Sequence, residues 1–332
     1  MYAFPGSPVV FGMKTALRRP ALSFAALLCV FATACQHAVA PSTPHDPAAP
    51  AGYTSEKAIK RAFRAGEITK TALSLAYLRL VAITNDVPYA VESERNVLDV
   101  YQPRERNGDA PVLLLIHGGA WDHGDKKSAL PYAMHFAARG YLCIAMNYRL
   151  SDTAPFPAAL NDVRAAIAWI RDHAADYGGD PGRIAVAGHS AGAHLAMLAA
   201  YTAEDPQTIS CVIDFYGPVD LTAPFARRMK EVRKFVGAPY RGAPDQYRAA
   251  SPIHHITAQS PPTLIIHGDI DDIVPIEQAE ILAQALNKNG VPHSYKRLKG
   301  WGHAPDRAAP VFNYCTTEME TFLTRIFHTH VR

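Results

Sequence analysis

From about residue 87 onward, short apolar runs alternate with amphipathic stretches. Val97–Tyr101, Val112–Ile116, Tyr141–Tyr148, Arg183–Ala187, Cys211–Tyr216, Thr263–His267 and His293–Leu298 read as strands. Helical spacing predicts Phe156–His173 with Pro157 near its first turn, Ile276–Asn289 stopped by Gly290, and a final helix over Pro310–Phe327. An Ala-rich helix follows Arg183–Ala187, and residues 217–255 carry no regular period. Upstream, residues 55–83 place Ile59, Phe63, Ile68, Leu75, Leu78 and Ala82 at helical spacing among charged positions. Such a segment either caps a site or, on the plainer reading, packs on the sheet. Alternating strands and helices predict an α/β fold, a mostly parallel sheet with helices on both faces.

The first residues follow a different rule. Lys14, Arg18 and Arg19 precede an apolar run from Ala21 to Phe31, and Ala32-Thr33-Ala34-Cys35 follows. The run is too short for a comfortable membrane span and ends in small residues, so residues 1–34 read as an export signal. The signal resembles the bacterial lipoprotein type, with Cys35 as the lipidation candidate, although Ala32 stands where that pattern usually has Leu. Cleavage after Ala34 without a lipid is the alternative, and Met13 is an alternative start. Both endings place the protein outside the cytoplasm, in the envelope, the periplasm or the medium. Membrane attachment is expected through Cys35 alone. Residues 35–54, rich in Pro and Ala, read as a tether, which leaves 55–332 as the folded domain.

The signal also explains the charge. The chain carries 33 basic and 30 acidic residues, and the three-charge excess lies in residues 1–34. The remainder is neutral overall, so nothing in it points to a nucleic-acid partner. Cys143, Cys211 and Cys315 lack metal-type spacing and suit buried apolar positions. His254-His255 and the His117/His123 pair lack matching carboxylates, and neither a metal nor a cofactor is expected.

The chemistry concentrates in Gly188-His189-Ser190-Ala191-Gly192, between a strand pattern and a helix pattern. A sharp strand-to-helix turn lifts a serine oxygen above the sheet edge, and the helix start offers N–H groups to developing negative charge. A serine needs a base. His303, in Gly300-Trp301-Gly302-His303, follows the last strand and is the candidate. Asp269, Asp271 and Asp272 crowd the loop after Thr263–His267. Asp271 is the candidate to orient His303, with Asp269 read as a turn cap and Asp272 as solvated. His117-Gly118-Gly119-Ala120-Trp121 follows another strand, and its glycines let the backbone turn amides toward a substrate oxygen. Gly118, Gly119, Ala120 and Ala191 are therefore the candidate oxyanion-hole residues. Trp121, Tyr216 and Trp301 are candidate pocket walls.

These segments resemble the α/β-hydrolase superfamily, nearest its hormone-sensitive-lipase-like and small bacterial carboxylesterase branches. The resemblance rests on HGGAW (117–121), NYRL (147–150), PFPAALNDV (155–163), GGDPGRIAVAGHSAGAHLA (178–196), PPTLIIHGDIDDIVP (261–275) and GWGH (300–303). GHSAG and HGGAW depart from the GDSAG and HGGG of lipase-like members. They are closer to kynurenine-formamidase-like and feruloyl-esterase-like members. The resemblance implies an eight-stranded sheet and cofactor-free hydrolysis of small or medium acyl esters through Ser190, His303 and Asp271, with Asp162 structural. Alternatives are an amide hydrolase of formamidase or exopeptidase type, and a non-catalytic binding protein on the same fold.

Overall fold

The computed structural model describes residues 49–105 and 108–328. The export signal, Cys35 and the alternative start at Met13 lie outside the described residues. Eight strands form one sheet: β1 Val81–Pro88, β2 Val97–Pro103, β3 Ala110–Ile116, β4 Leu142–Met146, β5 Gly179–His189, β6 Cys211–Phe215, β7 Thr263–Gly268 and β8 His293–Leu298. Their order is β1-β2-β4-β3-β5-β6-β7-β8. β1, β2 and β4 pair antiparallel, and every pair from β4 to β8 is parallel. β4, β6 and β7 are buried along their whole length. Strands covered on both faces read as unbroken apolar runs, which is how they were visible in the sequence.

The helices are α1 Glu56–Ala65, α2 Tyr77–Leu80, α3 Leu130–Ala137, α4 Ala158–His173, α5 Ala191–Tyr201, α6 Pro224–Arg228, α7 Lys230–Val236, α8 Pro244–Ala249, α9 Glu277–Lys288 and α10 Ala309–His328. Alternate residues of β3 divide the core. Val112, Leu114 and Ile116 face α4, α5 and α9, whereas Leu113 and Leu115 face α1, α3 and α10.

Residues 55–83 do not form the continuous helical segment their spacing predicts. α1 is capped by Ser55, whose side chain accepts from the Ala58 N–H, and ends at left-handed Gly66. Leu75 and Leu78 are exposed rather than buried. The chain then enters edge strand β1, whose middle residues are exposed and therefore carry no apolar alternation. Two residues of the expected 35–54 tether are hydrogen-bonded to the loop after β8. Pro50 accepts a hydrogen bond from the Trp301 indole, and the Tyr53 N–H donates to the Gly300 carbonyl at 2.7 Å. Residues 217–255 fold into three short helices, α6 to α8, that bury Phe235 and Tyr247.

The loop after β4 is fixed by Asp162, which α4 carries into the interior at 1% exposure. Its carboxylate accepts from Arg149 Nη2 at 2.6 Å and from the Arg149 backbone N–H at 2.7 Å. Arg149 is partly exposed, so removing the carboxylate leaves a charge that water still reaches, at a cost of about 1–3 kcal/mol. Asp162→Ala should lower the free energy of urea unfolding by roughly that amount. A loss below about 1 kcal/mol would place the loop's anchor elsewhere.

Candidate active site

Ser190 stands between β5 and α5 with φ 54° and ψ −117°, a backbone conformation that costs a non-glycine residue about 1–3 kcal/mol. Close packing holds it there. A Cβ on Gly188 would strike the Gly192 carbonyl, and one on Gly192 would strike the Ile116 carbonyl. The Ser190 N–H donates to Phe215 O of β6 at 2.8 Å, and all eleven residues of α5 are buried.

The loop after β8 brings His303 to this turn. Its Nε2 lies 3.1 Å from Ser190 Oγ, and its Nδ1 lies 2.7 Å from Asp271 Oδ2. Asp271 is anchored in turn. Its Oδ1 accepts from the Ile273 and Val274 N–H groups, each at 2.9 Å, and His267 Nε2 approaches Oδ2 at 3.3 Å. Burial alone would raise this carboxyl, but hydrogen bonds from His267 and His303 outweigh it and hold the pKa down at about 2. An ionised Asp271 only accepts, so His303 carries its proton on Nδ1 and presents the Nε2 lone pair to the serine hydroxyl. Asp269 lies elsewhere, accepting from the Gly300 N–H at 2.6 Å, and Asp272 is exposed.

The 117–121 segment runs along the same turn. Gly118 is packed so tightly that a Cβ there would lie 2.7 Å from His189 O. Gly119, Ala120 and Trp121 all have positive φ, at 118°, 49° and 61°. The Gly119 carbonyl is turned away to accept from the Asp122 and His123 N–H groups. Behind the loop, burial pushes His117 and His194 down to about 4, so both rings are neutral. His194 accepts from the Trp121 indole at 3.2 Å and donates to Ala250 O.

The pocket walls differ from expectation. A cavity of about 30 Å³ beside Ser190 is lined by Ala120, Trp121, Ala191, Phe225, Met229 and Ile273, among others. Trp121 belongs to it, although its ring is buried against Phe235. Tyr216 does not. It lies edge-on to His303, with ring centres 4.8 Å apart, and its hydroxyl donates to Asp306 Oδ1 at 2.7 Å. Trp301 lines a second cavity, of about 490 Å³, and is tied to Pro50. Tyr216 is thus drawn into the core, whereas Trp301, also buried, is a wall of the second cavity.

Two contacts had no local signal in the sequence. Glu56, on α1, accepts from the His303 N–H at 3.1 Å across 247 positions. Burial, followed by repulsion from Asp272, raises its carboxyl. Asp306, three residues past His303, faces His189 Nε2 at 3.3 Å and accepts from Tyr216. Burial would raise Asp306, but His189 and Tyr216 outweigh it and lower its pKa. No three-residue cluster of His, Cys, Asp or Glu suited to a metal is present among the described residues.

The BD-FAE family model matches residues 98–286. Esterase LipQ of Mycobacterium tuberculosis is 36% identical over 285 residues, spanning 79% of this chain and 66% of LipQ. The probable carboxylic ester hydrolase LipM of the same organism is 35% identical over 292 residues, spanning 80% and 67%. The chain thus spans about two-thirds of the length of each relative. Among solved structures, a truncated carbohydrate esterase from gut microbiota superposes with a TM-score of 0.64 at 26% identity, covering 77% of this chain and 99% of the other. Thermogutta terrifontis esterase 2 gives 0.62 at 26%, covering 74% and 95%.

Two buried carboxyls give opposite pH dependences. Asp271 titrates at about 2, below its ordinary 3.8, so its ionised form stabilises the fold above pH 3.8 and that stability is lost as pH falls toward 2. Asp271→Asn should flatten the loss of unfolding free energy between pH 5 and pH 2. Asp214, fully buried on β6, is raised by that burial to about 7. Its contribution is complete below pH 3.8 and is lost as pH rises through 7. Asp214→Asn should therefore gain stability relative to the parent as pH rises from 5 to 8. Parallel pH–stability curves for parent and variant would contradict either assignment.

Proposed function

Because this chain belongs to the BD-FAE family of α/β-hydrolase esterases, we propose that it is a serine carboxylesterase acting through Ser190, His303 and Asp271. The observation that carries the reading is the unbroken hydrogen-bonded line from Asp271 through His303 to Ser190 Oγ. Ser190 Oγ attacks the ester carbonyl carbon as its proton passes to His303 Nε2. Ionised Asp271 holds the ring in place and stabilises the imidazolium. The tetrahedral oxyanion takes hydrogen bonds from the Ala191 N–H and from the Gly118–Ala120 backbone, each donor being worth about 3–4 kcal/mol in the transition state. Collapse expels the alcohol, which takes the proton from His303 and leaves the acyl group on Ser190. Water, deprotonated by His303, then attacks this acyl-enzyme, the bond to Ser190 Oγ breaks as Oγ takes the proton back from His303, and the acid is released.

The cavity at Ser190 supports a small acyl group. Its volume, about 30 Å³, suits two or three heavy atoms, and Phe225, Met229 and Ile273 make it apolar. Acetyl and propionyl esters fit, while longer chains must displace a wall. No residue in the cavity is placed to favour an amine leaving group over an alcohol.

Ser190→Ala should lower kcat on p-nitrophenyl acetate at least about a thousandfold and abolish labelling by a fluorophosphonate. Asp271→Asn should cost a comparable factor, and Asp269→Asn less than about tenfold. Faster turnover of an N-formyl amide than of its matched ester would replace the esterase reading, and a labelled residue other than Ser190 would end it. Across p-nitrophenyl esters, kcat/KM should peak at two or three acyl carbons.

A further inference from the structure

The second cavity adjoins His303 and is more than ten times larger than the one at Ser190. α1 forms one wall, and the 301–307 loop with α3 and α10 forms the others. Its inner surface is apolar, with Ile59, Phe63, Tyr132 and Phe312. Its mouth carries Lys60, Lys70 and Arg307. We propose that this cavity receives the alcohol half of the ester and selects alcohols with an apolar body and an anionic group.

Three observations support the assignment, which rests on the serine-esterase reading above. The first is position. Ser190 lines the small cavity, and His303, whose Nε2 lies 3.1 Å from Ser190 Oγ, lines the large one. The alcohol oxygen leaves with the C–O electron pair and takes the proton from Nε2, so the departing group lies on the His303 side.

The second is charge. The cavity's acids are already committed. Glu56 accepts from the His303 N–H, and Asp306 is held by Tyr216 and His189. Lys60 reaches Glu56 at 3.8 Å. Lys70 and Arg307 form no ion pair among the described residues.

The third is how those two cations come together. Lys70 bridges Ala308 in antiparallel fashion, the Thr71 N–H donates to Arg307 O at 2.9 Å, and the Ala309 N–H donates to Thr69 O at 2.8 Å. This short backbone ladder ties the segment that carries Lys70 to the one that carries Arg307, so both cations belong to the lining of one cavity. A carboxylate on the alcohol would find these two cations without a competing acid, while the apolar part of the alcohol covers Phe63 and Phe312.

The test compares 4-acetoxybenzoate with methyl 4-acetoxybenzoate, which share an acyl group and differ by one charge on the alcohol. The parent protein should favour the carboxylate by about fivefold or more in kcat/KM, and added salt should shrink the ratio. In the Lys70→Glu/Arg307→Glu protein the ratio should fall to one or below. Equal kcat/KM for the two esters in the parent, or a ratio unmoved by the double substitution, overturns the proposal. Binding separates this outcome from failure of the esterase reading. By calorimetry, Ser190→Ala protein should bind 4-hydroxybenzoate more tightly than methyl 4-hydroxybenzoate, and the double substitution should erase that difference. Absence of the difference overturns the anion site even where esters are turned over. Its presence without ester turnover overturns the esterase reading alone.

Discussion

Everything at the site depends on three backbones touching without side chains between them. Gly192 at the start of α5 lies against the Ile116 and His117 carbonyls, Gly188 lies against Gly192, and Gly118 lies against His189 O. A methyl group on Gly118 or Gly192 would separate β3 from the turn that carries Ser190, and one on Gly188 would force the turn itself open. The strain at Ser190, about 1–3 kcal/mol, is sustained because α5 behind it is buried throughout. Burying even two of Leu195, Met197 and Leu198 contributes about 1.5–3 kcal/mol each. The packing therefore outweighs the strain, and the same contact that holds the serine fixes the 117–121 amides beside it.

The His303 loop adds charged contacts to close packing, since Gly268 lies against the Trp301 carbonyl and Gly302 against Glu56. Asp271 fixes the ring, Glu56 fixes the backbone N–H, and Asp306 ties the residues after it to His189 on the serine turn. His189 also stacks on Phe215 at 4.5 Å, so the residue before Ser190 joins the sheet to this loop. The histidine of GHSAG thus has a structural partner. The neutral His117 and His194 behave differently. They sit where burial forbids a charge, and they serve as hydrogen-bonding wedges behind the oxyanion segment.

These two kinds of restraint explain what the sequence disclosed. Strands β3 to β7 were legible because buried parallel strands are apolar runs, and the serine turn because its glycines are obligatory. Asp271 could be separated from Asp269 only by chain order and loop position, since all three aspartates suit a turn. Glu56 and Asp306 were not legible. Glu56 reads as an ordinary first-turn acid of an amphipathic helix, and its partner lies 247 positions away. Edge strand β1 was missed because it buries little. Tyr216 lines neither cavity because its hydroxyl found an acceptor in Asp306, whereas Trp301, bound to Pro50, lines the larger one.

The two cavities differ in what they can discriminate. A small apolar pocket rejects by volume, and each methylene there is worth only about 1–3 kcal/mol. Such a pocket limits chain length but cannot tell one short acetate ester from another. On the proposed esterase reading, discrimination among acetates would come from the alcohol side, where the larger volume and aromatic floor lie. α1 supplies both a wall of that cavity and the Glu56 carboxylate on His303, and it lies outside the family match at 98–286. The match holds Ser190, Asp271, the 117–121 loop and Tyr132, while Ile59, Lys70, His303, Arg307 and Phe312 lie outside it. The proposed alcohol site would therefore be built from both sides of the family boundary, with α1 and the segment after β8 contributed from outside it.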